Sequence, residues 1–378
     1  MPTYPTYKLG DILSYEQPTN YIVESTEYDD SYPTPVLTAG KSFILGYTNE
    51  TKGVYDKLPV IIFDDFTTAS QFVDFKFKVK SSAMKILSCN EELADIKYMY
   101  YLMQITHIQS DTHKRYWISD YSKIPIPLPP LTTQHAIVTR IENLFAELDK
   151  AVQHLRTAQQ QLKTYRQAVL KAAFEGCENA EKHLFGELMA DVRNGYGAKP
   201  TDCGTNKLLR ISSVRAMNLN LDDFRFNNSS FDERDIIQEN DLLFTRYNGS
   251  VDLVGVCAYV PELYDTYAYP DKIIRCRPKV CNTFHSKFLQ YYINQGKARE
   301  FVRSKIKTTS GQNGISGSDI KKIEIPLPPL TEQQRIVNEI ESRLSQATAS
   351  ETYIENALQQ AEALRQSILK KAFSGELV

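Results

Sequence analysis

Apolar residues recur at every seventh position in two long stretches of this chain, and neither stretch contains proline or glycine. A seven-residue period sustained over about five heptads is typical of a coiled-coil helix. Each such helix would be roughly 64 Å long. The first stretch has two rows, Ile141, Leu148, Leu155, Leu162 and Val169, and, three residues further on, Leu144, Ala151, Ala158, Tyr165 and Ala172. The row of the second stretch is Ile340, Ala347, Ile354, Ala361 and Ile368.

Both stretches belong to a segment that occurs twice. Residues 119–176 align with residues 318–375 without a gap at a constant offset of 199, and 26 of the 58 aligned positions are identical. The longest identical run, Ile-Pro-Leu-Pro-Pro-Leu-Thr, begins at Ile126 and again at Ile325. Residues 1–118 and 177–317 share no such identity. The chain therefore alternates a variable domain with a constant segment, twice.

The prolines of the repeated run predict where the helices begin. Each proline biases the residue before it towards an extended conformation, so Thr132 and Thr331 are expected to be the N-cap residues. Gly176 is expected to end the first helix at its C′ position.

Antiparallel pairing about Leu155 and Ile354 would interdigitate the two helices. Leu148 would face Ala361, a large residue against a small one, and Leu162 would likewise face Ala347. A parallel pair would instead set Leu148 on Ala347. The antiparallel arrangement would also hold the variable domains at a fixed distance from each other. The alternative is that each helix packs on its own domain.

The fold class predicted is therefore α+β, with two globular α/β-type domains separated by two long antiparallel helices in a pseudo-twofold repeat. The expected boundaries are 1–124 and 178–323 for the domains, and 125–177 and 324–378 for the helical segments.

Within the domains, Val60 to Phe63 and Asp241 to Phe244 are predicted strands. Residues 94–108 and 286–306 are predicted helices. Asn248-Gly249 is a tight-turn signal, which would place Arg246 and Tyr247 beside a hairpin tip.

Positive charge is concentrated in each variable domain. Alternation with Phe75, Phe77 and Val79 would put a row of lysines on one strand face. Basic residues next to hydroxyl, amide and aromatic side chains suit phosphate docking and base-edge reading, although each cluster alone could be a solvated charged face. The candidate DNA contacts of the first domain are Lys76, Lys78, Lys80, Ser81, Ser82, Lys85, His113, Lys114, Arg115 and Tyr116. Those of the second are Arg246, Tyr247, Asn248, Arg303, Lys305, Lys307, Thr309, Ser310 and Gln312.

Bulk composition narrows the class of protein. The chain has 378 residues, 42% of them apolar, and a net charge of −2, which fits a globular protein without a global positive field. No signal peptide or membrane span is expected, so the location expected is the cytoplasm. The six cysteines form no CxxC pair, and reduced thiols without a metal site are the simplest interpretation.

No motif predicts catalysis. Ala39-Gly40-Lys41-Ser42 resembles the end of a phosphate-binding loop, but Pro35 stands where that loop needs its first glycine. The chain has no GxGxxG, no Asn-Pro-Pro-aromatic methyltransferase motif, and no carboxylate–lysine cluster of the kind nucleases use. Recognition is therefore favoured, and a nucleotide hydrolase using Lys41 is the disfavoured enzymatic alternative.

Two variable domains, each followed by Ile-Pro-Leu-Pro-Pro-Leu-Thr-x-Gln and a long helix ending near Leu-Lys-x-Ala-Phe-x-Gly, resemble the DNA specificity (S) subunit of bacterial Type I restriction–modification systems. The resemblance covers nearly the whole chain, and Gln134 and Gln333 match its glutamine. His135-Ala136 departs from the more usual pair at those positions.

The resemblance implies a non-catalytic subunit with two target-recognition domains, each binding one half of a bipartite double-stranded DNA target. It also implies two modification subunits, which methylate adenine using S-adenosylmethionine, and restriction subunits, which translocate DNA and cut it using ATP and Mg²⁺. The chain itself is expected to need no cofactor. The remaining alternative is a coiled-coil scaffold that reads no DNA.

Overall fold

The computed structural model describes residues 4–40, 42–106, 115–197, 200–228, 231–280, 283–309 and 311–377. The chain forms two compact units. The first unit comprises Met1–Thr157 with Ile354–Val378, and the second comprises Ala158–Tyr353. Each unit thus contains one globular domain, the first part of one long helix and the last part of the other.

The globular domain of the first unit is built mainly from short strands. Its strands are β1 (Thr6–Lys8), β2 (Leu13–Glu16), β3 (Thr34–Leu37), β4 (Ile44–Thr48), β5 (Val60–Asp64), β6 (Ser70–Val73), β7 (Lys78–Val79), β8 (Met84–Cys89) and β9 (Pro125–Pro127). Its α-helices are α1 (Leu9–Ile12), α2 (Ile96–Ile105) and α3 (Tyr116–Ser119), with 3₁₀ turns at Pro18–Tyr21 and Tyr121–Lys123.

Two sheets and one ribbon organise this domain. The larger sheet is antiparallel, in the order β2-β8-β5-β6, and the smaller has the order β4-β3-β7, in which β3 and β7 are parallel. β1 pairs with β9. The predicted strand at Val60 is confirmed as β5, and its apolar side chains are buried on both faces of the sheet. Predicted helix 94–108 corresponds to α2, although residues 107 and 108 lie outside the described part.

The first long helix, α4, spans Leu131–Ala173. The second unit has 3₁₀ turns at Cys177–Asn179, Ile211–Ser213, Glu233–Asp235 and Val251–Leu253. Its shorter helices are α5 (Phe185–Leu188), α6 (Ser286–Ile293), α7 (Gly296–Lys305) and α8 (Gly317–Ile320). Its strands are β10 (Lys182–Leu184), β11 (Met189–Asn194), β12 (Asn206–Leu209), β13 (Val214–Arg215), β14 (Asn218–Leu219), β15 (Phe224–Asn227), β16 (Leu242–Thr245), β17 (Tyr247–Asn248), β18 (Cys257–Tyr259), β19 (Tyr267–Ala268), β20 (Ile273–Pro278), β21 (Lys307–Thr309), β22 (Gln312–Gly314) and β23 (Glu324–Pro326). The chain continues into the second long helix, α9 (Leu330–Phe373).

The second domain repeats the topology of the first. Its larger sheet has the order β11-β20-β16-β18, its three-stranded sheet has the order β15-β12-β19 with β12 and β19 parallel, and β10 pairs with β23. It also has a small ribbon of β13 and β14 and a third sheet in the order β17-β22-β21. Two dissimilar sequences therefore form sheets of the same strand order.

The predicted helix 286–306 is wrong as a single element. The chain breaks between α6 and α7 at Asn294 and Gln295, where the Asn294 side chain donates hydrogen bonds to the carbonyls of Cys257 and Gln290 (2.7 and 2.8 Å). Gly296 follows with a φ of 51°, which favours glycine and starts a new direction.

Both long helices begin two residues before the position that N-caps at Thr132 and Thr331 would give. They start at Leu131 and Leu330, so Thr132 and Thr331 lie inside the first turn and are not N-caps. The residue that organises this end is a glutamine. Gly176 and Gly375 follow the helices with φ angles of 94° and 80°, as expected for glycine after a helix.

Gln134 and Gln333 are fully buried and form the same three hydrogen bonds in the two units. The Gln134 side chain accepts a bond from the N–H of Asp95 (2.9 Å), at the start of α2, and donates to the carbonyls of Leu93 (3.0 Å) and Pro129 (2.8 Å). Each glutamine thus fastens the start of a long helix to the start of a helix in its own domain.

The counterpart, Gln333, accepts from the N–H of His285 (3.0 Å), at the start of α6. It donates to the carbonyls of Thr283 (3.0 Å) and Pro328 (2.8 Å). The glutamine of the repeated motif therefore has a structural role in this chain, which the sequence alone did not reveal.

The two long helices run antiparallel within each unit. In the first unit, the beginning of α4 packs with the end of α9, where Leu369 and Ala372 join the domain core. In the second, the beginning of α9 packs with the end of α4, where Leu170 and Phe174 join the core. The first turns of each helix also pack on their own domain. Antiparallel pairing of the helices and packing of each helix on its own domain, which the sequence presented as alternatives, therefore occur together.

One repeated arginine makes the same crossing in each unit. Arg365 of α9 forms an ion pair with Asp149 and lies 4.3 Å from the ring centre of Phe145. Its repeat equivalent, Arg166 of α4, pairs with Glu351 (2.9 Å) and donates to Thr348 (2.9 Å). An early residue of one helix meets a late residue of the other, which is antiparallel order.

The helix seam differs from the second predicted row. Ala151, Tyr165 and Ala172 of that row are exposed, whereas the row one residue further on is half-buried throughout. The half-buried row is Phe145, Val152, Gln159, Arg166 and Ala173. The prediction failed because Gln159 and Arg166 are polar, so the more apolar neighbouring row was chosen. Leu148 and Ala361, expected to meet, line the same groove of the first unit.

In the described residues, none of the helices combines the length and apolar character needed to cross a membrane. Within the same residues, no group of three or more histidine, cysteine, aspartate or glutamate side chains is placed to hold a metal ion.

Candidate nucleic-acid interface

The residue that follows β5 in the first unit, and the one that follows its counterpart β16 in the second, occupy similar positions. In the first unit this residue is Asp65, directly after β5. Its N–H donates to the carbonyl of Ala83 (3.0 Å), and its carbonyl accepts from the N–H of Tyr116 (2.8 Å). It therefore joins the loop before β8 to the segment that leads into α3.

In the second unit the residue is Arg246, directly after β16. Its N–H donates to the carbonyl of Lys272 (2.8 Å), and its carbonyl accepts from the N–H of Ile315 (3.0 Å). Tyr116 and Ile315 are separated by 199 residues, the offset of the repeat. We name the position of Asp65 and Arg246 the strand-end position.

Around Arg246, the sheet β17-β22-β21 unites two groups of predicted contacts that are distant in sequence. Tyr247 pairs with Gly314 and Asn248 with Asn313, while Lys307 also pairs with Gly314 across the other edge of β22. Arg246, Tyr247, Asn248, Lys307, Thr309 and Gln312 therefore lie in or beside one small sheet.

The hairpin predicted at Asn248-Gly249 is wrong. β17 pairs with β22, which lies far along the chain, because the Asn313 side chain donates to the carbonyl of Gly249 (2.9 Å) and holds this loop against β22. The hairpin that exists joins β21 to β22, and its tip includes Gly311, with a φ of 77°. The predicted contact Ser310 and the side chain of Thr309 lie outside the described residues.

Arg246 is half-exposed, and its guanidinium lies over the ring of Tyr247. Its guanidinium carbon lies 4.7 Å from the ring centre of Tyr247, and Nη1 donates to the carbonyl of Asp271 (3.3 Å). A Cβ on Gly314 would come within 2.5 Å of the Tyr247 ring, so glycine is required for this ring position. Stacking on tyrosine leaves the remaining N–H groups of the guanidinium directed along its own plane.

The other basic residues grouped with Arg246 in the sequence analysis differ in solvent exposure. Lys307 and Gln312 are exposed on the hairpin. Arg303 is exposed and pairs with Asp252 (2.8 Å), and Lys305 lies 5.2 Å from the ring centre of Phe301. Arg299, one turn before Arg303, is buried and donates to two backbone carbonyls, and burial lowers the pKa of its guanidinium.

The single exposed lysine face expected in the first unit is wrong. Lys78 is buried, pairs with Glu50 (2.9 Å) and donates to the carbonyl of Lys52 (2.7 Å). Lys85 is buried against Asp65 (3.3 Å). Both lysines are satisfied inside the domain, so neither is available to a ligand.

The electrostatics of Glu50 reflect this burial. Removal from water acts to raise the pKa of Glu50, but the hydrogen bond from Lys78 and those from the N–H groups of Ser25 and Glu24 hold the pKa below its usual value. Tyr116 is also buried, so its predicted contact with DNA is wrong as well.

The remaining predicted residues of the first unit that the structure describes are exposed, and most of them lie in two segments joined by Asp65. Lys80, Ser81 and Ser82 form the loop before β8, which Asp65 joins to the segment containing Arg115. Lys76 is also exposed, and it lies earlier in the chain, before β7. His113 and Lys114 lie outside the described residues. Lys80, Ser81, Ser82 and Arg115 thus lie in the two segments that meet at the strand-end position.

Three further cations of the second unit were missed by the sequence analysis. Arg210, Arg225 and Lys272 line a cleft of about 250 Å³ next to Arg246. They come from three separate segments, so no cluster was visible in the sequence. One signal in the sequence was Lys272, a lysine directly before the apolar strand β20.

The fold and these two surfaces define a class of protein with two recognition domains on a pair of helices. The model of the Type I restriction modification DNA specificity domain matches residues 1–155 and 225–360. The chain belongs to that family.

Two relatives support this membership. The chain is 35% identical over 354 residues to the Type I restriction enzyme EcoR124I/EcoR124II specificity subunit of Escherichia coli, covering 87% of this chain and 84% of that protein. It is 39% identical over 275 residues to the Type I restriction enzyme EcoKI specificity subunit of Escherichia coli (strain K12), covering 68% of this chain. The chain spans only 59% of that second relative.

Solved structures show the same fold. A chain from work on complex assembly and conformational transition of the type I R-M system aligns with a TM-score of 0.72 at 18% identity, over 100% of this chain and 99% of that one. The HsdS subunit from Thermoanaerobacter tengcongensis aligns with a TM-score of 0.59 at 18% identity, over 100% and 98%. The predicted fold class is therefore confirmed.

Proposed function

We propose that the chain is the non-catalytic DNA sequence-specificity subunit of a cytoplasmic Type I restriction–modification complex. Each globular domain reads one half of a bipartite double-stranded target. Family membership supports the assignment to this system. The observation that carries the site is the strand-end position, because exposed basic and polar residues surround it in both units although the domain sequences differ.

In the second half-site, Arg246 is the proposed base reader. A guanidinium held on a tyrosine ring has little rotational freedom left to lose and can donate two parallel hydrogen bonds to a guanine edge. Lys307 and Gln312, on the neighbouring hairpin, supply a phosphate contact and a polar contact. In the first half-site the corresponding contacts are Lys80, Ser81, Ser82 and Arg115.

The test is Arg246→Ala in the chain assembled with its modification subunits, with binding measured against a library varied in both half-sites. Loss of a bidentate guanine contact should cost about 1–3 kcal/mol and relax preference in one half-site only. Arg234→Ala, an exposed arginine of the same domain, is the matched control.

The two other outcomes have definite meanings. A uniform loss over all sequences would make Arg246 a phosphate contact. No loss would remove it from the interface. If the assembled complex has no sequence preference at all, the chain is a scaffold of paired helices and the proposed function is wrong.

The partners proposed are two modification subunits and the restriction subunits, which use S-adenosylmethionine, ATP and Mg²⁺. The net charge of −2 means that the chain alone can neutralise few phosphates. We therefore expect tight specific binding only in the assembled complex. Equal affinity of the isolated chain for the same target at physiological salt would contradict this.

The long helices are proposed to set the number of unread base pairs between the half-sites. Four residues inserted after Ala158 add about 6 Å of helix and about 40° of rotation, equivalent to one or two base pairs at about 3.4 Å each. Methylation mapping should then find the same half-site sequences with a wider gap. An unchanged gap would disprove this role of the helices.

A further inference from the structure

The cleft beside Arg246 is a distinct feature of the second unit. Its walls come from the loop after β12, from β15 and from the segment just before β20. Arg210, Arg225 and Lys272 line it, together with Pro200 and Pro270, and its volume is about 250 Å³. Three cations from three segments share one cleft without a continuous basic run in the sequence.

Two of the three cations in this cleft have no ion-pair partner among the described residues. In the described part of the chain, neither Arg225 nor Lys272 forms an ion pair with an acidic residue. Arg210 pairs with Asp223 (3.2 Å), while still about half exposed. The one acidic residue in the lining is Asp271. Cations kept near each other without counter-charges cost stability through mutual repulsion, so an anion would stabilise the arrangement.

Backbone hydrogen bonds connect the cleft to Arg246. The carbonyl of Lys272 accepts the Arg246 N–H (2.8 Å), and the carbonyl of Asp271 accepts from Arg246 Nη1 (3.3 Å). A ligand in the cleft would therefore be adjacent to any base that Arg246 contacts.

We propose that the cleft binds one backbone phosphate of the DNA, directly adjoining the base contacted by Arg246. This inference rests on the proposed function and deepens it. Two arginines and a lysine are suited to a phosphate oxygen set, because guanidinium groups bind it bidentately and ammonium binds it as a point charge. Pro200 and Pro270 in the lining have no N–H to donate, so the charged side chains supply the main contacts of the cleft.

Two of the three cleft cations have uncharged counterparts in the first unit. Residues 79–84 and 268–273 correspond at one offset, because Val79 and Ala268 pair with equivalent strands and Met84 and Ile273 begin β8 and β20. Ala83 then stands at the position of Lys272. Ile44, paired with Leu37, stands at that of Arg225, which is paired with Leu208. The pair Arg225 and Lys272 therefore belongs to the second unit.

The experiment uses the chain assembled with its modification subunits and a target duplex identified by methylation mapping. Arg225→Gln and Lys272→Gln each remove one charge. Each should lower affinity several-fold at physiological salt and reduce the slope of log K against log salt by up to about 1. Sequence preference in both half-sites should stay unchanged.

The chain offers matched controls. Lys279 is exposed directly after β20, at the opposite end of the strand that Lys272 precedes. Lys279→Gln should leave both affinity and salt slope unchanged. Arg234→Gln serves the same purpose for Arg225.

A second measurement locates the phosphate. Single neutral methylphosphonates are placed along the duplex, one position at a time. One position should weaken binding by the unaltered complex and have no further effect on the Arg225→Gln complex. Inorganic phosphate at millimolar concentration should compete weakly, whereas preferential binding of free phosphate without any methylphosphonate effect would assign the cleft to a small anion instead.

The outcomes separate this inference from the proposed function. If specific binding persists and neither variant changes the salt slope, the cleft holds no phosphate although the function stands. If either variant relaxes base preference, the cleft reads bases and the inference is wrong. If the complex has no sequence preference to begin with, the proposed function itself fails.

Discussion

The two domains carry opposite charges at the strand-end position. In the first unit, Asp65 is buried and takes the N–H of Trp117 (2.8 Å) and the ammonium of Lys85 (3.3 Å). In the second, Arg246 is half-exposed and stacks on Tyr247. The main-chain hydrogen bonds at both positions are the same in kind.

The residue that pairs with the strand-end side chain in the first unit also differs between the two units. Lys85 corresponds to Ile274, a fully buried apolar residue of β20. The second domain therefore has no buried ion pair there, and its charge is directed outward instead. Because the same two main-chain hydrogen bonds hold this position in both units, its side chain can differ between two recognition domains built on one fold.

The largest test of this comparison is Lys85→Met. Removing one partner leaves the buried Asp65 carboxylate without its counter-ion, which should cost about 3–5 kcal/mol of unfolding free energy in the first unit. Hydrogen exchange of the β5 and β8 amides measures it. Lys80→Met, at an exposed position, is the control, and Arg246→Ala should hardly alter the stability of the second unit. A loss below about 1 kcal/mol for Lys85→Met would show that the pair is not structural.

Unlike the two strand-end residues, Gln134 and Gln333 should contribute similarly to the stability of their units. Gln134→Ala and Gln333→Ala each remove three buried hydrogen bonds to backbone groups and should cost about 1–3 kcal/mol each. Denaturant unfolding with hydrogen exchange at α2 and α6 would resolve the two units. Gln160→Ala, exposed on the same helix as Gln134, is the control. Clearly unequal losses would mean that the two fastenings are not equivalent.

The sequence was sufficient for the features that depend on local pattern. The repeat and the heptads predicted α4, α9 and their antiparallel order, and the apolar run at Val60 predicted β5. It was insufficient wherever a residue distant in the chain determines whether a side chain is buried or exposed. Alternation placed Lys78 outside, but Glu50 and the carbonyl of Lys52, from another loop, hold it inside.

The same limit applies to the candidate site. Asn248-Gly249 has the local signature of a hairpin, yet β17 pairs with β22 because Asn313 binds that loop. Arg210, Arg225 and Lys272 meet only through the sheets that carry them. Tertiary pairing, which no local pattern encodes, selected the residues that surround Arg246.

A smaller effect is expected along the helices. Arg166→Ala and Arg365→Ala break equivalent, partly exposed ion pairs and should each cost about 0.2–1 kcal/mol, falling with added salt. Arg365→Ala should show the weaker salt dependence, because its contact with Phe145 does not depend on a counter-charge. Thermal unfolding at low and high salt measures this. Identical salt dependence would mean that the ring contributes nothing.

The smallest effect concerns the residues that cap α2 and α6. Asp95 accepts the N–H of Tyr98 (2.8 Å) in the first unit, whereas His285 accepts the N–H of Lys287 at Nδ1 (3.2 Å) in the second. Burial, and then the charge of Lys287, lower the pKa of His285 in the folded state, while Glu341 acts in the opposite direction. An imidazole can accept this bond only when Nδ1 is unprotonated.

The unfolded state therefore binds more protons below about pH 6.5, the ordinary value for histidine. The stability that His285 contributes is complete above that pH and declines as the pH falls from it towards the lower folded pKa. The loss should stay below the full value of a cap, about 1 kcal/mol. Hydrogen exchange of the α6 amides at pH 7.5 and pH 5.5 measures it. His285→Asp, which gives the second domain the acidic cap of the first, should remove this dependence, and an unchanged pH response in that variant would assign it to another group.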